Sequence, residues 1–289
     1  MLSLLNVVKR YQSGVVAVDD VSFHAPPGVL ALIGHNGAGK TSLMNMIATL
    51  TKPTSGDILF NGDSIVSTPG AIRRRMGFLP QDFGGYPNLT ALEFLQYFAA
   101  VKGVTDRRRV HDVLGMVNLH QQAASFTSTF SGGMRRRLGI AQALLNDPDI
   151  LLVDEPTAGL DPEERLRFRH LLAELGFKKL VVISTHIVSD IENMAGQIAI
   201  MREGKLASYG TPDDLIRQAR GQVWSATVTE PEYERLRCQV QVLHAQKNAS
   251  GIQLRIAHRA MPCPHALAVE PSLDEALMSQ RYALPEQAA

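Results

Sequence analysis

The run Gly34-His35-Asn36-Gly37-Ala38-Gly39-Lys40-Thr41-Ser42 fits the spacing G-x-x-x-x-G-K-[ST], a pattern suited to holding phosphate. Gly37 and Gly39 let the backbone turn tightly, so that successive N–H groups converge on an anion. Lys40 has the reach for β- and γ-phosphates, and the Thr41 hydroxyl is a hard oxygen suited to Mg²⁺. A second chemical pair stands at Asp154-Glu155, where the apolar run Ile150-Leu151-Leu152-Val153 ends in two carboxylates. A strand buried on both faces gains no stability from that ending, so the pair reads as a metal-binding Asp154 beside a water-activating Glu155. Ser131-Gly132-Gly133 directly precedes a helical run and reads as a second N-terminal anion site. Three further residues say little alone. Gln81 follows the apolar run Met76-Gly77-Phe78-Leu79, His186 follows Leu180–Ser184, and Tyr11 stands among polar neighbours well before the glycine loop. Taken alone, each is more simply a solvated, packing or structural residue. Even so, strand carboxyl ends are where ligands sit in open α/β sheets, and a tyrosine ring can stack on a purine.

The elements that must position these residues follow from apolar periodicity. Val29–Ile33 is a short buried strand before the glycine loop, and Leu43–Ala48 continues after it as a helix. Residues 3–9 and 15–24 read as edge strands, and Ile58-Leu59-Phe60 with Asn61-Gly62 as a hairpin. From Thr90 to Ser125 the spacing of Leu92, Phe94, Leu95, Phe98, Val110, Val113, Leu114 and Val117 is helical, with no strand signal. This predicts a helical insertion, with Arg107-Arg108-Arg109 as a solvated helix face. Ala158-Gly159-Leu160-Asp161-Pro162 is a loop before a helix over 163–175, and Ile198–Met201 with Lys205–Ser208 a hairpin around Glu203-Gly204. Thr211 caps a following helix. Past Gln218 the composition changes: strands at 223–228, 239–243 and 252–256, a helix at 231–237 and a capped closing helix from Pro271-Ser272 predict a small α+β appendage. Glu286 onward reads as frayed. The expected domains are 1–218, with the helical insertion at 82–145, and 219–289.

The chain has 289 residues, 45% hydrophobic and 20% charged, which is ordinary for a globular protein with a sizeable core. A formal net charge of +1 gives no bulk electrostatic case for nucleic acid. Two cysteines, Cys238 and Cys263, suggest no disulfide framework and fit a reducing compartment. Cys263-Pro264-His265 is half of a metal-ligand pattern, and no second pair completes it. No apolar run approaches the ~18 residues of a membrane span, and the first residues lack signal-peptide character. A cytosolic chain is expected, reaching any membrane through a partner.

Taken together and in order, the motifs resemble those of the nucleotide-binding subunit of an ABC transporter across residues 2–215. They comprise an aromatic at Tyr11, the glycine loop at 34–42, Gln81, the signature at 131–133, the strand-end carboxylates at 150–155, Asp161 and the switch His186. The resemblance implies an α/β fold, a P-loop NTPase core of ABC type with an antiparallel β edge. It implies ATP and Mg²⁺ as ligands, bound between two such subunits arranged head to tail. Gly34, Asn36, Gly37, Gly39, Lys40, Thr41 and Ser42 then hold phosphate and Mg²⁺, Gln81 and Asp154 complete the metal shell, and Tyr11 meets the base. Ser131, Gly132 and Gly133 of the opposite subunit close over the γ-phosphate. Glu155 polarises water, His186 holds γ-phosphate and water in line, and Asp161 touches the partner's site. Met134 stands where the family commonly has glutamine and Phe130 where it has leucine, which leaves the phosphate-facing residues intact. The compact insertion and the Pro-Ser-Leu-Asp-Glu-Ala ending are similar to ATPases of bacterial exporters of drugs, antibiotics or polysaccharides with a separate membrane permease. That permease would dock beside Gln81, near Phe83, Tyr86 and Leu89. The second subunit is a copy of this chain in a homodimer or a related chain in a heterodimer, at the cytoplasmic face of the cell membrane. The alternative is a soluble ABC ATPase acting on ribosome or nucleic acid. A single ATPase unit with near-neutral charge argues against that alternative.

Overall fold

The computed structural model describes residues 1–84 and 86–281, so the expected fraying from Glu286 lies outside the described residues. The chain divides into two compact units, Met1–Tyr209 and Gly210–Ala289.

In the first unit, β1 (Leu2–Arg10) and β2 (Val16–Ala25) precede β3 (Gly28–Ile33), the glycine loop and α1 (Lys40–Ile47). There follow β4 (Ser55–Phe60), β5 (Asp63–Ser64), α2 (Pro69–Arg74), β6 (Met76–Leu79), α3 (Ala91–Val101), α4 (Arg108–Met116) and α5 (Gly132–Leu144). The unit closes with β7 (Ile150–Asp154), α6 (Pro162–Gly176), β8 (Leu180–Thr185), β9 (Gln197–Arg202) and β10 (Lys205–Gly210).

Two sheets result. One, in the order β2-β1-β4-β5, pairs its strands antiparallel. Its tight β4–β5 turn uses Asn61 (φ 52°) and Gly62 (φ 93°), both left-handed, which matches the twist of a two-residue hairpin. The other has the order β10-β9-β3-β8-β7-β6, and β3 pairs parallel with β8 and β9, as does β7 with β6 and β8. β7 and β8 are buried at every residue, as continuous apolar runs must be when both faces of a sheet are covered. Alternate residues go to opposite faces. Leu152 and Val182 join a core with Leu43, Met44, Leu4 and Phe23, while Leu151, Val153, Val181 and Ile183 join one with Phe94, Val113, Leu138 and Phe168. The helical insertion is thus a layer on one face, and the antiparallel sheet with α1 covers the other.

Helix ends follow local chemistry. α3 starts with a capping box in which Glu93 Oε2 accepts from the Thr90 backbone at 2.8 Å. Arg109 departs from the expected solvated face: its Nη2 donates to Leu144 O at 2.6 Å and its Nε to Leu145 O at 3.1 Å. Those carbonyls end α5 and need donors, which Lys102 also supplies through Gln142 O at 2.8 Å.

The second unit contains α7 (Pro212–Ala219), β11 (Val223–Val228), α8 (Glu230–Leu236), β12 (Gln241–Asn248), β13 (Gly251–Ala257), β14 (Leu267–Ala268) and α9 (Leu273–Arg281). Its sheet has the order β12-β13-β11-β14. The division falls at Tyr209/Gly210, ahead of the expected 218/219, because α7 packs against α9. β12 starts later than expected because Gln239 and Val240 both donate back to Leu236 O at 2.9 Å, extending the turn of α8. Arg255 fastens α9 to β13 by two 2.6 Å bonds to the Glu275 carboxylate, which raise the Arg255 pKa.

Candidate active site

Register decides which residues meet. Ile33 pairs with Thr185, Asp154 with Ser184 and Leu79 with Val153, so β3, β8, β7 and β6 end nearly level. The residues just past those ends are Gly34, His186, Glu155 and Gln81. Four segments far apart in sequence therefore share one carboxyl edge of the sheet, the edge that binds ligands in such folds.

The glycine loop has the backbone its composition predicts. Gly37 (φ 84°) and Gly39 (φ 98°) are left-handed, and a Cβ on Gly39 would sit 2.1 Å from Ala17 O. Gly39 is the N-cap of α1 without a side-chain cap, and the first turn of α1 holds no acidic residue. The amides and dipole at that helix start are thus directed at the loop, which suits an anion. Lys40 is 5% exposed; its Nζ donates to Gly34 O at 2.8 Å and His35 O at 3.2 Å. Asn36 and Thr41 are exposed along the loop and the first turn. The Tyr11 hydroxyl lies 3.1 Å from Ser42 Oγ, which places the ring beside the loop, with Lys9 Nζ 5.3 Å from its centroid.

Facing this loop are the two carboxylates. Asp154 is 2% exposed and accepts a hydrogen bond from Ser184 Oγ. Glu155, 7% exposed, has φ 46°, a left-handed backbone that costs a side-chain-bearing residue about 1–3 kcal/mol. That conformation is held by its N–H, which donates to Ser184 O at 3.0 Å. The Glu155 carboxylate is 3.7 Å from Lys40 Nζ and 2.9 Å from His186 Nδ1. Because an ionised carboxylate only accepts, Nδ1 of His186 carries the proton and Nε2 is left for another group. Lys40, Glu155 and His186 form one polar cluster, and Asp154, bonded to Ser184, directly precedes Glu155 in the chain.

Ser131, Gly132, Gly133 and Asp161 form a second group. Ser131 N-caps α5, its Oγ accepting from the Met134 N–H at 3.1 Å. The cap uses only the backbone of residue 134, so methionine at that position leaves it intact. Phe130 and Met134 both pack into the insertion core. Gly133 has no room for a side chain, since a Cβ would meet Glu164 Oε2 at 2.4 Å. Asp161 caps α6, accepting from the Glu164 N–H at 2.9 Å. Gln81 is exposed and lines a cavity of ≈370 Å³ with Asp82, Gly132, Arg136 and Leu160.

Two polar residues here escape a sequence reading. Ser184 orients Asp154, and its only signal is its place at the end of an apolar strand. Arg136 has a buried Nη1 without a hydrogen-bond partner; burial lowers its pKa, while Asp82, Asp154 and Glu155 counter that electrostatically.

A resident Mg²⁺ fits the donors present. Thr41, Asp154 and Gln81 offer hard oxygen donors, which would suit an ion that takes its other ligands from phosphate and water. Among the described residues, no helix is long and apolar enough to cross a membrane.

The family model described as "ABC transporter" matches residues 18–158. An uncharacterized ABC transporter ATP-binding protein, YxlF of Bacillus subtilis (strain 168), is 37% identical over 234 residues, covering 80% of this chain and 77% of that protein. Nod factor export ATP-binding protein I of Burkholderia pseudomallei (strain 1710b) is 38% identical over 220 residues, covering 74% and 72%. A solved dimeric ATP-binding cassette in a post-hydrolysis state with ADP and Pi is 29% identical with a TM-score of 0.66, covering 73% of this chain and 98% of that one. With the glycine loop, the strand-end carboxylates and the sheet order in place, the chain belongs to the ATP-binding subunits of ABC transporters and is an ATPase.

Proposed function

We propose that the chain hydrolyses ATP at a site shared between two subunits and so powers export through a separate membrane permease. The observation that carries this reading is the Glu155 carboxylate, held at φ 46° between Lys40 and His186 and directly after the buried Asp154. Lys40 and the amides of Gly34, Asn36, Gly37 and Gly39 bind the β- and γ-phosphates, and Tyr11 stacks on the adenine. Thr41, Asp154 and Gln81 would hold Mg²⁺, with Ser42 beside them, and the ion would supply positive charge to offset that developing on the phosphate. Glu155 takes the proton of the attacking water. His186, its Nδ1 fixed by Glu155, directs Nε2 at the γ-phosphate. Phosphoryl transfer asks mainly for positioning and charge neutralisation, and these are what rigid strand ends supply. Ser131, Gly132, Gly133 and Asp161 serve the site of the second subunit, so that ATP binding is converted into closure and hydrolysis into release.

Relatives named for Nod factor export support transport over action on ribosome or nucleic acid. The permease docks at the exposed Tyr86 and Tyr97, whose rings meet edge-on at 6.0 Å above Phe94 and Phe98. Exposed aromatics with a packed base make interface anchors. The chain then works at the cytoplasmic face of the membrane, with Met1–Tyr209 as the ATP-binding unit and Gly210–Ala289 as an accessory.

The test is Glu155→Gln, which keeps size and burial but removes the base. Expected are retained ATP binding, an accumulating ATP-bound dimer and a turnover loss of roughly 10²–10⁴-fold. Near-normal hydrolysis overturns the assignment.

A further inference from the structure

We propose that Asp190 is a positioning residue for hydrolysis, fixing the relative placement of the turns that follow Glu155 and His186 and of the turn that Asp161 caps. It rests on the roles given to Glu155 and His186 above. Asp190 is 1% exposed and lies four residues past His186, in the short turn Val188–Asp190. Its Oδ2 accepts from Thr157 Oγ1, itself buried and two residues past Glu155. Its Oδ1 faces Arg165 Nε at 3.6 Å. Arg165 in turn donates its backbone N–H to Asp161 O at 2.9 Å, so it rides on the capped first turn of α6. One carboxylate thus touches all three segments.

A purely stabilising role explains this poorly. A buried ion pair is commonly matched or bettered by packed apolar groups, so its stability return is small for what it costs to desolvate. Here the pair is not even closed: Asp190 Oδ1 and Arg165 Nε are both buried without a hydrogen-bond partner at that spacing. What a charge in this place does supply is geometric specificity, holding three loops to one another through the directional hydrogen bond from Thr157 and the ion pair with Arg165. Errors of about 1 Å in such placement are worth on the order of 10²-fold in rate.

The experiment measures steady-state hydrolysis, affinity for a non-hydrolysable ATP analogue and melting temperature for the full-length chain and its variants. Asp190→Asn, which retains shape and an acceptor for Thr157, is expected to lower kcat about 10- to 100-fold. KM and analogue affinity stay within about twofold, because the glycine loop is untouched. Thr157→Val and Arg165→Met, which leave the carboxylate in place, lower kcat by smaller factors, and Asp190→Asn combined with Arg165→Met is less than multiplicative. A kcat within about twofold of the parent in folded Asp190→Asn overturns the proposal, as does a loss confined to analogue affinity. Should Asp190→Asn not fold, the other two variants decide: parental kcat in both overturns it equally. Glu155→Gln run in parallel separates the two readings. Turnover surviving there sinks the assignment of the base, whereas an inactive Glu155→Gln beside a normal Asp190→Asn sinks only the positioning role.

Discussion

Ser184→Ala is the sharpest probe of how the sheet edge is built. Ser184 has no exposure, and its hydroxyl donates to the buried Asp154 carboxylate. Its own backbone carbonyl independently holds the Glu155 N–H at 3.0 Å, against 3.3 Å from that N–H to Oγ. Removing the hydroxyl therefore spares the backbone of Glu155 and strips one charge-assisted bond from Asp154. Bonds to charged groups contribute about 1.5–3 kcal/mol, and the partner left behind is buried. In a unit of this size, 1 kcal/mol shifts the melting temperature by roughly 2–4 °C, so a drop of about 3–12 °C is expected without nucleotide. If Asp154 also holds Mg²⁺, losing the residue that orients it raises the half-saturating Mg²⁺ for hydrolysis by about 10- to 100-fold. Differential scanning fluorimetry reads the first effect and a Mg²⁺ titration at saturating ATP the second. A melting temperature within about 1 °C of the parent refutes the energetic reasoning. A destabilised variant with parental Mg²⁺ dependence refutes the metal role of Asp154 alone.

Gly39→Ala is expected to lose both stability and ATP affinity, since the added Cβ meets the Ala17 carbonyl at 2.1 Å and φ 98° is strained for alanine. Parental melting temperature and ATP dissociation constant in that variant would contradict the loop geometry. Lys102→Met tests burial of charge: desolvation lowers the Lys102 pKa from 10.5 to about 8. Between those two values the unfolded chain holds the extra proton, so the parent gains stability as pH rises through this window, by at most about 3 kcal/mol. Below the window the cost of keeping Lys102 charged is fully present. The parent-minus-variant difference in urea midpoint is therefore expected to grow from pH 8 towards 10.5, and a flat difference refutes it.

The residues proposed to hold phosphate are legible because their chemistry is local. Gly37, Gly39 and Lys40 lie within one turn of chain, and the strand and helix around them announce themselves by periodicity. The strand ends were legible for a related reason: Val153 to Glu155 is a change from apolar to acidic with no packing explanation. The supports were not. Ser184 and Thr157 are small polar residues whose roles depend on carboxylates some thirty positions away, a distance that only strand register closes. Neither composition nor period carries that information, and an isolated sequence position has no sign of the left-handed backbone at Glu155. The unit boundary shows the same limit. The cap at Thr211 predicts where α7 starts, but its packing against α9 is a long-range choice.

Glu164 shows how that long-range wiring shapes the second group of residues. Its N–H is the one that Asp161 caps, so its backbone belongs to the turn carrying Asp161. Its carboxylate lies 3.3 Å from Arg137 Nε and 3.2 Å from Arg167 Nη1, and it fills the space where Gly133 lacks a side chain. Arg137 sits on α5, one turn past Gly133, and also donates to Asn118 O at 3.2 Å at the end of α4. The Ser131–Gly133 loop and the Asp161 turn are thereby fastened by a single half-buried carboxylate, shared between α5 and α6. Contacts under 3.5 Å, from Arg137 to the Glu164 carboxylate and from the Glu164 N–H to Asp161, join the helix that Ser131 caps to the Asp161 turn. Glycine at position 133 is then required less for backbone freedom than for the closeness of Glu164, since any Cβ there would push the carboxylate off Arg137. The packing of these two loops against each other runs through Gly133, Arg137 and Glu164.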